Sequence, residues 1–138
     1  MMPKKKSTEN MNVEKKKRNL RRNKKRGNAY EVLISNELKE LGFLNKTSRA
    51  ESKSLDDKKI DIVDMTGKMP FYCQIKNTIK TPDYFGILKE CPLKDKPFVI
   101  FWKKTKPTES TFRSEGEIVM IPKTFFYDLI KTYNYDDM

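Results

Sequence analysis

Two polar side chains, Gln74 and Lys76, interrupt the otherwise apolar run Phe71-Tyr72-Cys73-Gln74-Ile75-Lys76-Asn77. Side chains alternate along a strand, so the pair projects from one face. Asp61 stands between Ile60 and Ile62 in a second apolar run, where a carboxylate is costly unless it is paired or bound to a metal. Glu31 lies beside Tyr30, one position from a helical apolar stripe. Two carboxylates, an amide oxygen and an ammonium are a shell suited to Mg2+ (or Mn2+), which takes oxygen ligands and keeps water. Lysine adds a cation able to orient or deprotonate an attacking water and to stabilise a pentavalent phosphate. Each residue also has a plainer role open to it. Asp61 suits a strand edge facing water, Glu31 a solvent-facing helix turn, and Gln74 and Lys76 an exposed strand face. Only the combination and its order along the chain favour chemistry.

Several elements would position these groups. Tyr30, Leu33, Ile34, Leu38 and Leu41 recur with helical period, predicting a helix over 28–41 that Gly42 ends. A short strand is expected at 43–47 and a polar loop at 48–58. Residues 59–77 read as a hairpin, two apolar strands about the turn Thr66-Gly67-Lys68. Pro82 opens a short helix to 90, and the β-rich run at 96–102 reads as a central buried strand. A basic loop at 103–115, a strand at 117–121 and a helix after Pro122 complete the chain. This order predicts an α/β fold, a small mixed β-sheet with helices packed against it.

Charge divides the chain unevenly. Of 30 basic and 19 acidic residues, twelve and two fall in residues 1–26, leaving eighteen and seventeen for residues 27–138. The division predicts a basic, unfolded arm at 1–26 and a near-neutral folded domain at 27–138, since an arm so poor in apolar residues cannot repay the entropy of ordering. The expected partner is nucleic acid, held through phosphates. Candidate contacts are Lys15, Lys16, Lys17, Arg18, Arg21, Arg22, Lys24, Lys25 and Arg26 in the arm, Ser48 and Arg49 in the polar loop, and Lys103 and Lys104 after the central strand.

Histidine is absent, which excludes a Ser-His-Asp triad or a histidine general base. Cys73 and Cys91 lack metal-type spacing and read as small core residues of a protein in a reducing compartment. No apolar run is long enough for a membrane span and no signal-peptide core is present, so a cytoplasmic protein is expected. Nothing calls for a small organic cofactor. A short, lysine-rich, histidine-free chain also suits a bacteriophage protein, placed in host cytoplasm or virion.

The order Arg26-Gly27-x-x-x-Glu31, then Asp61 within Ile-Asp-Ile-Val, then Gln74-x-Lys76 after a short turn resembles the PD-(D/E)XK nuclease superfamily. Within it, the chain is similar to the archaeal-type Holliday-junction resolvases and their phage relatives. The resemblance spans residues 24–132, with KPFVIFWKK similar to the next core strand and EIVMIPKTFFYDLIK to the closing strand and helix. It implies a restriction-endonuclease-like fold and a Mg2+-dependent, structure-selective DNA endonuclease that hydrolyses phosphodiester bonds. Glu31, Asp61 and Gln74 would be the metal ligands and Lys76 the catalytic lysine. Ser48 or Ser52 would match a hydroxyl near the scissile phosphate. A junction is cut at two sites, so a homodimer on branched or duplex DNA is implied. The chain departs from the family in two places: Gln74 stands where a second acid is usual, and no proline precedes Asp61. Asp64, Asp56 and Asp57 are fallback acids, expected to be exposed. Two rival readings remain: a catalytically weak or inactive nucleic-acid-binding protein on the same fold, and a viral genome-associated packaging protein.

Overall fold

The computed structural model describes residues 8–48 and 59–136. The protein is a mixed α/β fold of three helices and two sheets: α1 (Thr8–Glu40), β1 (Asn45–Thr47), β2 (Ile62–Asp64), β3 (Tyr72–Thr78), α2 (Tyr84–Glu90), β4 (Phe98–Pro107), β5 (Phe112–Met120) and α3 (Lys123–Asp136). β1 and β2 form an antiparallel pair. β3, β4 and β5 form a second sheet with β4 central, parallel to β3 and antiparallel to β5.

β3 and β4 are covered on both faces. Cys73, Ile75 and Val99 pack against Tyr30, Ile34 and Leu38 of α1, with Ile62, Met69 and Phe125 in the same cluster. The residues that alternate with them, Phe98, Ile100 and Trp102, pack with Ile60 and Cys91 against Tyr84, Ile87 and Leu88 of α2. Val99 and Ile100 are both essentially inaccessible, as the continuous apolar run at 96–102 anticipates for a strand buried on two sides.

α1 begins at Thr8, well before the predicted start at 28. Residues 8–26 of the segment expected to be an unfolded arm therefore continue the helix that packs on the sheet. Residues 8–40 contain no proline and are rich in Lys, Arg, Glu and Asn, so nothing breaks the backbone ladder once the packed half has nucleated it. The helix stops where predicted. Gly42 adopts φ 98°, and the Gly42 and Phe43 amides donate to the Lys39 and Leu38 carbonyls at 3.0 and 2.9 Å, closing the helix end.

Two further predictions need correction. The hairpin at 59–77 is not a paired ladder: β2 pairs with β1, and β3 with β4. Gly67, at φ 73°, does turn the chain as expected. The segment read as a basic loop at 103–115 is mostly strand, since β4 runs to Pro107 and β5 starts at Phe112. Its polar side chains are compatible with strands because β5 faces water along most of its length.

A candidate metal and phosphate centre at the edge of β3

β3 offers one edge to β4, and the other is where Asp61 sits. The Tyr72 amide donates to the Pro97 carbonyl, so even-numbered residues of β3 direct their backbone groups toward β4 and odd-numbered ones outward. The outward groups meet Asp61 twice. Its amide donates to the Cys73 carbonyl at 2.9 Å, and its Oδ2 accepts from the Ile75 amide at 2.7 Å. Asp61 thus flanks Gln74 on both sides. A strand neighbour would have offered a backbone carbonyl at Ile75; the carboxylate takes its place, which is how β2 splays from β3 without orphaning the edge. The Asp61 carbonyl accepts from the Ser48 amide at 2.8 Å, tying the two sheets together through one residue.

Glu31 approaches from the helix. Buried Asn45 clamps β1 to α1: its Oδ1 accepts from the Ser35 hydroxyl at 2.6 Å, and its Nδ2 donates to the Phe43 and Ser35 carbonyls at 2.8 and 3.1 Å. Phe43 meets Leu38 and Asn45 meets Ser35, so the chain returns along α1 and carries Ser48 toward the turn that holds Glu31. Glu31 and Asp61 are each 7% exposed and Ser48 is fully buried. The solvent-facing alternatives for the two acids are thereby ruled out. Both carboxylates act on the same buried thiol: burial first, then Asp61 and Glu31, push Cys73 well above the ordinary thiol range.

Gln74 and Lys76 lie on the opposite face of β3 from Cys73 and Ile75 by strand alternation, opposite Ile100 and Trp102 of β4. Lys76 is half-buried and makes no salt bridge among the described residues. Gln74 is buried, and its Oε1 has no hydrogen-bond partner among the described residues. A buried acceptor left without a donor costs about 1–3 kcal/mol. A hard cation that takes amide oxygens would relieve it, so the donor types of Glu31, Asp61 and Gln74 suit Mg2+ or Mn2+, although α1, which carries Glu31, packs on the face of β3 opposite Gln74. Among the described residues no three His, Cys, Asp or Glu side chains gather.

The remaining predicted residues fall elsewhere. Arg49, Ser52, Asp56 and Asp57 lie outside the described residues. Asp64, expected to be exposed, is partly buried instead: it accepts from the Thr66 and Met69 amides at 3.1 Å each, with Lys96 3.8 Å away. Desolvation raises its pKa, but these partners outweigh it and hold the carboxyl below its ordinary range. Asp64 shapes the turn. Lys104 pairs with Glu115 at 3.0 Å on the surface. Lys17, Arg21, Arg22, Lys24 and Lys25 are exposed along α1, Arg26 is partly buried, and Lys103 lies 5.8 Å from the Tyr30 ring centre. Sequence reasoning missed Asn77, Thr105 and Phe112, which line a cavity with Arg26, Tyr30 and Lys103. The alternation Phe101, Lys103, Thr105 could have revealed them had 103–115 not been read as loop.

No protein-family model, curated protein or solved structure matches the chain. Among the described residues no helix is long and apolar enough to cross a membrane.

Proposed function

We propose that the protein is a metal-dependent, structure-selective DNA endonuclease of the Holliday-junction-resolvase kind. The observation that carries the proposal is the buried, unpartnered Gln74 Oε1 on the strand segment that Asp61 brackets from Cys73 to Ile75. Glu31, Asp61 and Gln74 would hold Mg2+ or Mn2+, which supplies Lewis acidity toward a phosphate oxygen and lowers the pKa of bound water. Lys76, half-buried and without a carboxylate partner, orients the attacking water and offsets charge on the phosphate. The Ile75 amide keeps the Asp61 carboxylate in place. The exposed lysines and arginines of α1 grip backbone phosphates, which fix position without reading sequence. A junction-cutting enzyme needs two such centres. Ile118, Val119, Phe126, Leu129 and Tyr133 are all exposed on β5 and α3, which supports a homodimer closed through that side.

The deciding assay is purified protein with a four-way junction, duplex and single strand, in Mg2+, Mn2+ or EDTA. Junction cleavage that needs the metal is expected. Asp61→Asn and Lys76→Ala should each reduce cleavage on the order of 10²–10⁴-fold while junction binding stays nearly intact; undiminished cleavage by both variants would remove the proposed centre. A second reading is favoured by the amide at position 74, which leaves only two acids: a nucleic-acid-binding protein on this fold, with weak or no cleavage. It predicts salt-sensitive binding and no nicking with any divalent ion.

A further inference from the structure

We propose that the cavity between α1 and the β4–β5 hairpin is a nucleobase site, and that guanine satisfies it best. The cavity holds about 400 Å³ and opens beside Asn77, on the opposite face of β3 from Gln74 and Lys76 by alternation. The inference rests on the chain's meeting nucleic acid, not on its cutting it.

Three residues that line this cavity, Arg26, Asn77 and Thr105, carry buried polar atoms without a partner among the described residues. Arg26 Nε and Nη1, Asn77 Oδ1 and Thr105 Oγ1 are buried without a hydrogen-bond partner among the described residues, and Thr105 is only 3% exposed. Native interiors leave few such atoms, and each one calls for an explanation. The guanidinium is held in place, since it stacks 3.4 Å from the Phe112 ring centre and its Nη2 donates to Asn23 Oδ1. Asn77 Nδ2 reaches the Arg26 carbonyl at 3.5 Å, which turns Oδ1 away as the free acceptor.

The mixture of groups selects the ligand. A bare phosphate only accepts, and would face the Asn77 carbonyl oxygen unfavourably. A nucleobase both accepts and donates and has a flat apolar surface for the walls of Tyr30 and Phe112. Guanine offers O6 and N7 to the end-on fork of Arg26, the orphan Nη1 and the second proton of Nη2, the commonest arginine–base pairing. Its N1–H and N2 amine can donate to Asn77 and Thr105. Lys103, at the Tyr30 wall, stands ready for the phosphate. A second cavity of about 660 Å³, lined by Arg22 and the 107–112 segment, shares Arg26 and Phe112 with the first. Its two arginines, Arg22 and Arg26, would meet the adjoining phosphates, with Glu109 an acid on the same wall. A base stacked inside a duplex could not enter, so the occupant is an unpaired guanine in a strand.

Amide NMR of the full chain, titrated in EDTA with GMP, AMP, CMP, UMP or inorganic phosphate, tests this without any cleavage chemistry. GMP should move the amides of Asn77, Lys103, Thr105 and Phe112 and bind at least about tenfold more tightly than the other mononucleotides. A guanine-containing oligonucleotide should move the same amides and also those at 108–111. Thr105→Val, nearly isosteric, should weaken GMP binding about tenfold. Should that variant not fold, wild-type protein with inosine monophosphate, which lacks the N2 amine, should show the same weakening. Equal shifts from inorganic phosphate, equal affinity for all four mononucleotides, or no shift with GMP would each overturn the proposal. A protein that binds guanine but cuts nothing would leave the base site standing and remove only the nuclease.

Discussion

Replacing Gln74 by glutamate puts a charge where the buried Oε1 lacks a partner. Because ligand charge tunes the affinity of oxygen sites for divalent ions, Gln74→Glu should lower the Mg2+ concentration for half-maximal cleavage about tenfold, read from a metal titration of junction cutting. Asn45 makes a different kind of contribution. It is 1% exposed and makes two hydrogen bonds to Ser35 of α1 and one to the Phe43 carbonyl, so Asn45→Ala leaves buried partners unmet and should cost about 1–3 kcal/mol in urea unfolding. At alkaline pH the sign follows from Cys73 and Tyr30. Burial raises both pKa values, with Asp61 and Glu31 adding at Cys73, and with a hydrogen bond and charge from Glu117 adding at Tyr30. A folded-state pKa above the unfolded one gives stability that is fully present below the unfolded value and is lost as pH rises past it. The urea midpoint should therefore decline from about pH 8.5 upward, and Cys73→Ala should flatten the first part of that decline. Asp64, held low, acts in the opposite direction and loses its contribution in acid. At this scale the sequence pointed to Glu31 and Asp61 only as candidates. An acid between two isoleucines is either paired or solvated, and the Ile75 amide decides which.

Elements were legible where period and punctuation agreed. The 28–41 stripe, Gly42, the run at 96–102 and Pro122 each combine an apolar pattern with a stop or start residue; α1 ends, β4 begins and α3 begins at these marks, although α1 starts at Thr8 and β4 runs on to Pro107. Gly42 is demanding because its φ of 98° disfavours a β-carbon although nothing crowds the site. Gly42→Ala should cost about 1–2 kcal/mol in thermal or chemical unfolding. Ile100, wholly buried at the centre of β4, should cost about 2–5 kcal/mol as alanine. Misreadings arose where local pattern under-determines the partner. Two apolar runs about a glycine turn suggest a hairpin, yet β2 pairs with β1 because Ser48 and Leu44 supply the complementary backbone groups. The β4–β5 extension is polar because most of β5 faces water, and a register shift beside Thr105 breaks the alternation further.

Across the whole molecule, charge concentrates along α1 and apolar surface along β5 and α3. Binding carried by α1 phosphate contacts should weaken steeply with salt. Lys24→Ala and Lys25→Ala should each flatten the slope of log K against log salt by about one, with similar losses on unrelated sequences. If β5 and α3 close the dimer, Leu129→Asp with Tyr133→Ser should give a monomer by sedimentation that nicks a junction singly but does not cut it in pairs. Composition and period were enough to determine the α/β class, the basic segment, the absence of histidine chemistry and the positions of most helices and strands, because these depend on local pattern and on counting. Tertiary structure alone decided that Asp61 brackets Gln74 at a strand edge, that Glu31 is buried, that residues 8–26 of the basic segment continue a packed helix and that Arg26, Asn77 and Thr105 share a cavity. Such facts come from chain segments many residues apart competing for the same backbone groups, a competition that no single segment's sequence records.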